Sequence, residues 1–484
     1  MIITQPQQIH KAQKLFDELV ELVQQGGDEQ ERVDVLERKV FQLLLKMGFE
    51  LLDFGIERCG DGNLGRTIEK QGKTLRRLKG LHSRRYVSIF GEHAIRRYVY
   101  AVREGQKIEH AEVDQQLGLP ANDFSYVLQD WLQRLCIKES FKEAASSLET
   151  LLGRRVSVRS AEHMNQHLAQ DAEAFRVSQP PPDPEQEAEL LVYVNDCKGV
   201  PMRRPLEERV RRGVRRAKGE KANKKQMACV GAGYSVERFV RTADDVLDEV
   251  MRKQRADDRP RPQNKRMWAE LTRVHEGETL NGKTCVFVQQ ALDLAARDPE
   301  GRKTVVTLMD GEKALRVEQE EWLPRGVGVL DIWHVIERLW AVAYCFHAEQ
   351  SREAEAFVTQ RLRMLLEGKV GYVIGHFRRL LKSDGLRGSK KPLQDAVTYF
   401  ENNRAYMKYD EYLAGGFPIG SGVAEGACRH VVKDRMELTG MRWQISGAQS
   451  MLHLRAIYLN DDWEDYLEHH IQTEQAALYG KKAA

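Results

Sequence analysis

Two apolar runs that stop on an aspartate constrain this chain more than any other feature of it. "LLVYVND" (190–196) and "TVVTLMD" (304–310) are nearly continuous in apolar residues and too short for a core helix, so both read as buried strands, ending at Asp196 and Asp310. "QMACVGAGYSVERFVRT" (226–242) reads as a strand pair, and "GVGVLDIWHV" (326–335) as a third strand-to-helix junction, with Asp331 at its turn. "GGFPIGSGVAEGACRHVVKDRM" (415–436) follows a mostly helical, basic stretch, with Ser421 placed to cap a helix that carries Glu425. Strand, strand pair, strand, strand, helix is the order of an α/β domain whose carboxylates sit at strand ends and on one helix.

The rest of the chain divides around a proline-rich, acidic run, "VSQPPPDPEQEAE" at 177–189, which reads as a linker. Before it, residues Ile9 to Phe54 carry apolar side chains at three- and four-residue spacing, with a capping-box-like "DEQE" from Asp28. That pattern predicts an amphipathic helix for packing or self-association. Residues 86–102, rich in β-branched and aromatic types around Gly91, predict a hairpin, and a helical stretch follows from Asp123. "SFKEAASSLETLLGRRVSVRSAEHMNQHL" (140–168) has helix–turn–helix character. Gly153 breaks the first helix and the second starts near Ser157, an arrangement that serves DNA contact or plain helical packing equally well. The expected organisation is a helical region (1–80), a hairpin and helix–turn–helix-like region (81–176), the linker (177–189), a first core segment (190–335), a helical insertion (336–410), a second core segment (411–460) and an acidic, frayed tail (461–484).

The formal net charge is only +3, but it is segregated. Arg58–Arg103, Arg203–Lys225, Arg252–Arg266 and Arg361–Lys391 together carry +29, leaving −26 for the remainder. One basic stretch is commonly a solvated face; four favour a phosphate backbone, whose binding depends on released counterions. No window approaches the roughly 18 apolar residues of a membrane span, and the first residues lack a secretory core. The seven cysteines form no C-x-x-C pair, which argues against a disulfide framework and a thiolate zinc site. These features predict a cytoplasmic, nucleoid-associated protein.

Asp196, Asp310 and Glu425 each lie in an apolar or glycine-rich element, where a free charge is costly. Each alone could be a turn or capping residue; together they suit hard cations, Mg2+ with Mn2+ as a substitute. Two such ions bridged by one aspartate can activate water and stabilise the leaving oxygen in phosphodiester cleavage. "GAG" at 231–233 is too short for a dinucleotide fingerprint, and no GxxxxGK[ST] phosphate loop is present.

"NDCKGVPMRR" around Asp196, "LMDGEK" around Asp310, "LDIWHVIERLW" around His334 and "PIGSGVAEGACRHVVKDRMELTGMRW" around Glu425 resemble the Kra-type insertion-sequence transposases. The likeness runs from about residue 85 to 460, is weakest before the linker and is most specific in the last motif. It implies an RNase H-like catalytic core with a helical insertion, preceded by a mainly helical DNA-binding region. It also implies that Asp196, Asp310 and Glu425 are the metal ligands of a DDE transposase. Asp331 and His334 match an Asp/Cys-x-x-His pattern, which implies that His334 positions DNA or a water; a buried core histidine is the competing reading. Relatives often carry Cys-x-x-Cys after the hairpin. Here "RRYVYAVREGQKIEH" has none, so no zinc is expected there, while Arg96 and Arg97 remain candidates for phosphate contact. Cys197, where glycine is usual, reads as structural, and Arg435 as a candidate either to support the acids from behind or to contact DNA. The implied activity is metal-dependent cleavage at element ends and strand transfer into target DNA, by a homodimer or higher oligomer on double-stranded DNA. The alternative is a domesticated, transposase-derived DNA-binding or regulatory protein whose acids persist without transposition.

Overall fold

The computed structural model of the chain describes residues 7–25, 32–70, 72–203, 225–251, 259–275, 277–383, 386–420, 422–438 and 440–480. They form two compact units: residues 1–171 with 464–484, and residues 172–463.

In the first unit, α1 (Gln7–Gln25) packs on α2 (Val33–Glu57), so the single helix expected from Ile9 to Phe54 is a helical pair. The expected start at Asp28 lies outside the described residues. Small sheets follow: β1 (Thr67–Lys70), β2 (Lys73–Arg77), β3 (His82–Val87), β4 (Glu92–Arg97) and β5 (Tyr100–Ala101). The hairpin predicted around Gly91 is β3–β4 alone, because Tyr100 and Ala101 pair with β2 instead. After α3 (Glu112–Gln116) and α4 (Tyr126–Lys138), the helix–turn–helix-like segment is α5 (Phe141–Leu152) and α6 (Val158–Leu168). Ser140 and Glu143 close a capping box at the start of α5, and Gly153 ends it at φ +63°, a conformation that only glycine adopts cheaply. Ser157 caps α6 through the Ser160 amide, 3.0 Å away. Ala144, Leu148, Ala161 and Met164 pack with Leu128 and Leu132 into one core, so the pair is at least a packing unit.

The second unit opens with α7 (Ala172–Ser178) and is built on a five-stranded sheet: β6 (Leu190–Pro201), β7 (Lys225–Val236), β8 (Gln263–Leu271), β11 (Thr304–Met309) and β12 (Val327–Leu330). The spatial order is β12-β11-β6-β7-β8, with β7 antiparallel to both neighbours and β11 parallel to β6 and β12. The sheet is therefore mixed, and the chain as a whole combines helices and strands. Between these strands lie α8 (Ala243–Val250), β9 (Arg273–His275), β10 (Glu278–Leu280), α9 (Gly282–Arg297) and α10 (Lys313–Trp322). Strand alternation points Leu191, Tyr193 and Cys197 into a core with Val286 and Phe287 of α9, so Asp196 belongs to the opposite face.

The predicted helical stretch is α11 (Ile332–Ala343), α12 (Arg352–Leu366), α13 (Val370–Leu380), α14 (Lys391–Asn403) and α15 (Tyr409–Ala414). Then come α16 (Gly422–Ala427), a π-helical turn (Cys428–Lys433), α17 (Asp434–Met436) and α18 (Ile445–Leu459). The tail expected to fray is instead a helix, α19 (Trp463–Tyr479), because Tyr466, His470 and Glu474 are buried along it. No helix among the described residues is long and apolar enough to cross a membrane.

One buried charge ties α7, β8, β9 and α18 together. Glu270 is fully buried, with His453 Nε2 at 2.9 Å, Gln449 Nε2 at 2.8 Å, Arg273 Nη1 at 2.6 Å and Arg176 Nη1 at 3.4 Å. Burial alone would raise its pKa, but His453, Arg176 and Arg273 hold it well below the ordinary carboxylate value. Glu270→Gln should therefore cost about 3–5 kcal/mol at pH 7, because two guanidinium groups lose their buried counter-charge. The deficit relative to wild type should shrink as pH falls below 4.5, where wild type begins to lose the same stabilisation. Urea unfolding of both proteins at several pH values measures it.

Candidate active site

Strand register builds the site. Met309 of β11 lies opposite Asn195 of β6 on one side and Leu330 of β12 on the other, all three strands being parallel. The next residue on each strand is an aspartate: Asp196, Asp310 and Asp331. The Asp331 amide donates to the Met309 carbonyl at 3.0 Å, which continues the ladder by one step. A row of acids thus lies at the carboxyl edge of the parallel strands, where open α/β sheets bind ligands. Asp196 does not end its strand, as expected from sequence. β6 loses β11 as a partner at Asn195 but stays paired with β7 through Pro201.

The three acids differ in what already satisfies them. Asp331 is 3% exposed and caps α11, its carboxylate accepting from the Trp333 amide at 2.9 Å. Asp196, half-buried, accepts from the Cys197 amide at 2.6 Å. Asp310 accepts from the Glu312 amide at 2.8 Å. Burial raises the Asp310 pKa, the Glu312 amide opposes the rise, the Asp196 charge adds to it and His334 opposes it. Two neighbouring half-buried carboxylates, one repelled by the other, form the donor set that a hard divalent cation fits.

α16 and its π-helical turn pack on β6 and β7. Cys428 meets Asp196 there: burial first, then the Asp196 carboxylate, push the thiol pKa up. Glu425 lies on α16 three residues before Cys428; its side chain, like the predicted cap Ser421, is outside the described residues. π-Helical turns are frequent at functional sites. His334, on the first turn of α11, is 38% exposed at its side chain, with Nδ1 3.6 Å from Glu337, so the core-histidine reading is wrong. Arg435 is fully buried, over the Trp443 ring at 5.1 Å, and is not placed for DNA contact.

No family model matches the chain, and no curated protein matches it.

The helical stretch after β12 supplies two further side chains, Tyr399 and, within the motif around His334, Arg338. A Cβ added to Gly311 would lie 2.4 Å from the Tyr399 ring, so α14 presses against the turn after Asp310. Burial, then the Asp310 charge, push the Tyr399 phenol up to about 12. Arg338, one turn beyond His334 on α11, lies over the same ring at 5.0 Å. Tyr399 lies 89 positions from Asp310 in sequence, and only the tertiary fold joins them.

The basic stretches are partly spent on structure. Arg97 is buried and, with Arg84, pairs with Asp114 at 2.7 and 2.8 Å; of the hairpin candidates only Arg96 is exposed. Arg363 pairs with Asp244, Arg378 with Glu401, and Arg361 stacks on Phe357. Arg379, Lys382, Arg387 and Lys391 are exposed. Residues 204–224 and 252–258 lie outside the described residues.

Two groups of histidine and carboxylate side chains among the described residues are close enough to hold a metal, and neither contains the acids picked out from sequence. One, Glu173 with Glu270 and His453, already has Arg176 and Arg273 as counter-charges. The other, His167 with His470 and Glu474, is taken up below.

With cations chelated, Asp310→Asn should raise the thermal midpoint at pH 7 by a few degrees, because a half-buried carboxylate repelled by Asp196 is neutralised. A raised carboxylate pKa costs stability while the group is ionised. The gain should therefore fade as pH drops through the folded pKa toward 3.8, and differential scanning across that range checks the sign.

Proposed function

We propose that the protein is a DDE-type DNA transposase with an RNase H-like core, which cleaves the ends of an insertion sequence and joins them to target DNA. The observation that carries this reading is the register row, with Asp196 and Asp310 side by side and the helix of Glu425 packed on the strand of Asp196. The mixed sheet supports it as well: numbered by sequence its strands run 5-4-1-2-3, with only the second reversed, an arrangement an RNase H-like core requires.

Asp196, Asp310 and Glu425 would hold the divalent cations, with Asp331 kept from that role by its cap on α11. When bound, Mg2+ supplies charge stabilisation at the attacking and leaving oxygens of an in-line displacement. Cleavage breaks one P–O bond as water supplies the new oxygen and loses a proton; joining repeats the exchange with the freed 3′-OH as nucleophile. No covalent enzyme intermediate is involved. His334 is half-exposed and electrostatically coupled to Asp310, which suits it to orient a phosphate or the attacking water. Arg338 adds a cation one turn further along α11.

Asp196→Asn, Asp310→Asn and Glu425→Gln should each reduce Mg2+-dependent cleavage of a terminal-repeat duplex by orders of magnitude while DNA binding persists. His334→Ala should slow cleavage about 10–100-fold, as a misplaced reacting group does, and change stability by no more than about 0.5 kcal/mol. Full activity in any amide variant removes that residue from the site. A wild type that binds ends without ever cutting supports the domesticated reading instead.

The exposed cations of α13 and the segment after it carry a separate expectation. Replacing Arg379, Lys382, Arg387 and Lys391 by glutamine should flatten the dependence of log affinity on log salt by about 0.9 for each phosphate left without its cation. The same change at Arg363 and Arg378, which are already paired, should have less effect. A fluorescence-anisotropy titration over 50–200 mM salt distinguishes the two sets.

A further inference from the structure

The first unit contains a donor set unrelated to the aspartate row. α19 carries His470 and Glu474 four residues apart, on one face of the helix, and α6 presents His167 to both. The ligand atoms of the three side chains lie within 4.8 Å of one another. His167 Nε2 is 2.7 Å from Glu474 Oε1, and the His167 and His470 rings meet edge to face at 5.3 Å. Four-coordinate zinc with nitrogen and oxygen ligands at about 2.0–2.1 Å separates its donors by roughly 3.3 Å, so small side-chain movements bring this set to bonding distance.

The surroundings match a metal site in two further respects. His470 Nδ1 is held by Asp171 Oδ2 at 2.6 Å, which fixes the ring and leaves Nε2 as the nitrogen to meet a metal. A carboxylate on the far nitrogen is the usual partner of a metal-bound imidazole. Glu474 is steadied by the Tyr126 hydroxyl at 2.5 Å and the Ala121 amide at 3.1 Å, neither of which carries a positive charge. The contrast with Glu270 is direct: there two arginines supply the counter-charge, whereas here two imidazoles and two carboxylates gather without a guanidinium in their described bonds.

We propose that His167, His470 and Glu474 bind one Zn2+, with Asp171 orienting His470 and a water completing the coordination. Two imidazole nitrogens and one carboxylate are zinc chemistry, unlike the all-oxygen set that suits Mg2+. His167 is the half-buried member, on the wall of a cleft of about 400 Å³ shared with Ser160 and His163, which leaves room for the water. Zinc so placed clamps the last helix to α6 and the turn that follows it.

The test uses the full-length protein, stripped with chelator and titrated with Zn2+ against a chromophoric competitor, then with Co2+ for its visible d–d bands. One equivalent should bind, with Co2+ absorption typical of four- or five-coordinate sites. His470→Ala and Glu474→Gln should each weaken binding at least 100-fold, and Asp171→Asn about 10–100-fold. Asp310→Asn should leave zinc binding unchanged, which keeps this result separate from the reading of the aspartate row. Circular dichroism reports folding; if His470→Ala does not fold, Glu474→Gln and Asp171→Asn decide. Absence of a bound equivalent, or equal affinity in the wild type and the folded variants, overturns the proposal.

Discussion

Parallel pairing of β6, β11 and β12 is the constraint on which the site depends. A slip of one residue in either pairing would turn a carboxylate to the opposite face of the sheet. Such a slip would turn Asp196 or Asp310 toward the core of Val286 and Phe287, where burying a charge is costly. The apolar residues that precede each aspartate thus fix the register and the position of the acids together. Because β7 alone continues beside β6 past Asn195, Asp196 stays rigidly held at a point where β11 no longer covers it.

Much of this was legible in the sequence, for local reasons. Apolar runs bounded by aspartate and glycine located β6, β11 and β12, and Gly153 and Ser157 placed the break between α5 and α6 to the residue. Asp331 was visible as the acid of the Asp-x-x-His pattern, but its membership in the row depends on the register of β11 with β12, which periodicity does not encode. Strand ends were less legible, since β6 continues where its apolar run stops and its partner β7 sustains it. Tyr399 reaches the site only through tertiary packing, whereas Cys428 and Arg338 lie inside the motifs around Glu425 and His334 without any spacing that marks them. The basic stretches misled in part: counting charges could not show that Arg84 and Arg97 serve Asp114, or that Arg363 and Arg378 are paired.

Charge is handled in two ways in this molecule. Glu270 is buried within a set of cationic partners, so its negative charge acts as a structural tie among four elements. Asp196 and Asp310 accept from backbone amides, with the Cys428 thiol beside Asp196, and no cationic partner is described for either, so their mutual repulsion stays in the fold. The difference separates acids that hold the protein together from acids that, on the proposed function, would bind cations.

The first unit is assembled from the two ends of the described chain, residues up to 171 and residues from 464, while the second unit is continuous between them. During synthesis the ribosome therefore delivers every element of the sheet before it delivers α19. Tyr466, whose hydroxyl donates to the Leu168 carbonyl, and Glu474, which receives the Ala121 amide, reach their partners only then. The helical unit, begun before the sheet, is completed only after it, and the surface of α6 that α19 covers stays open until then.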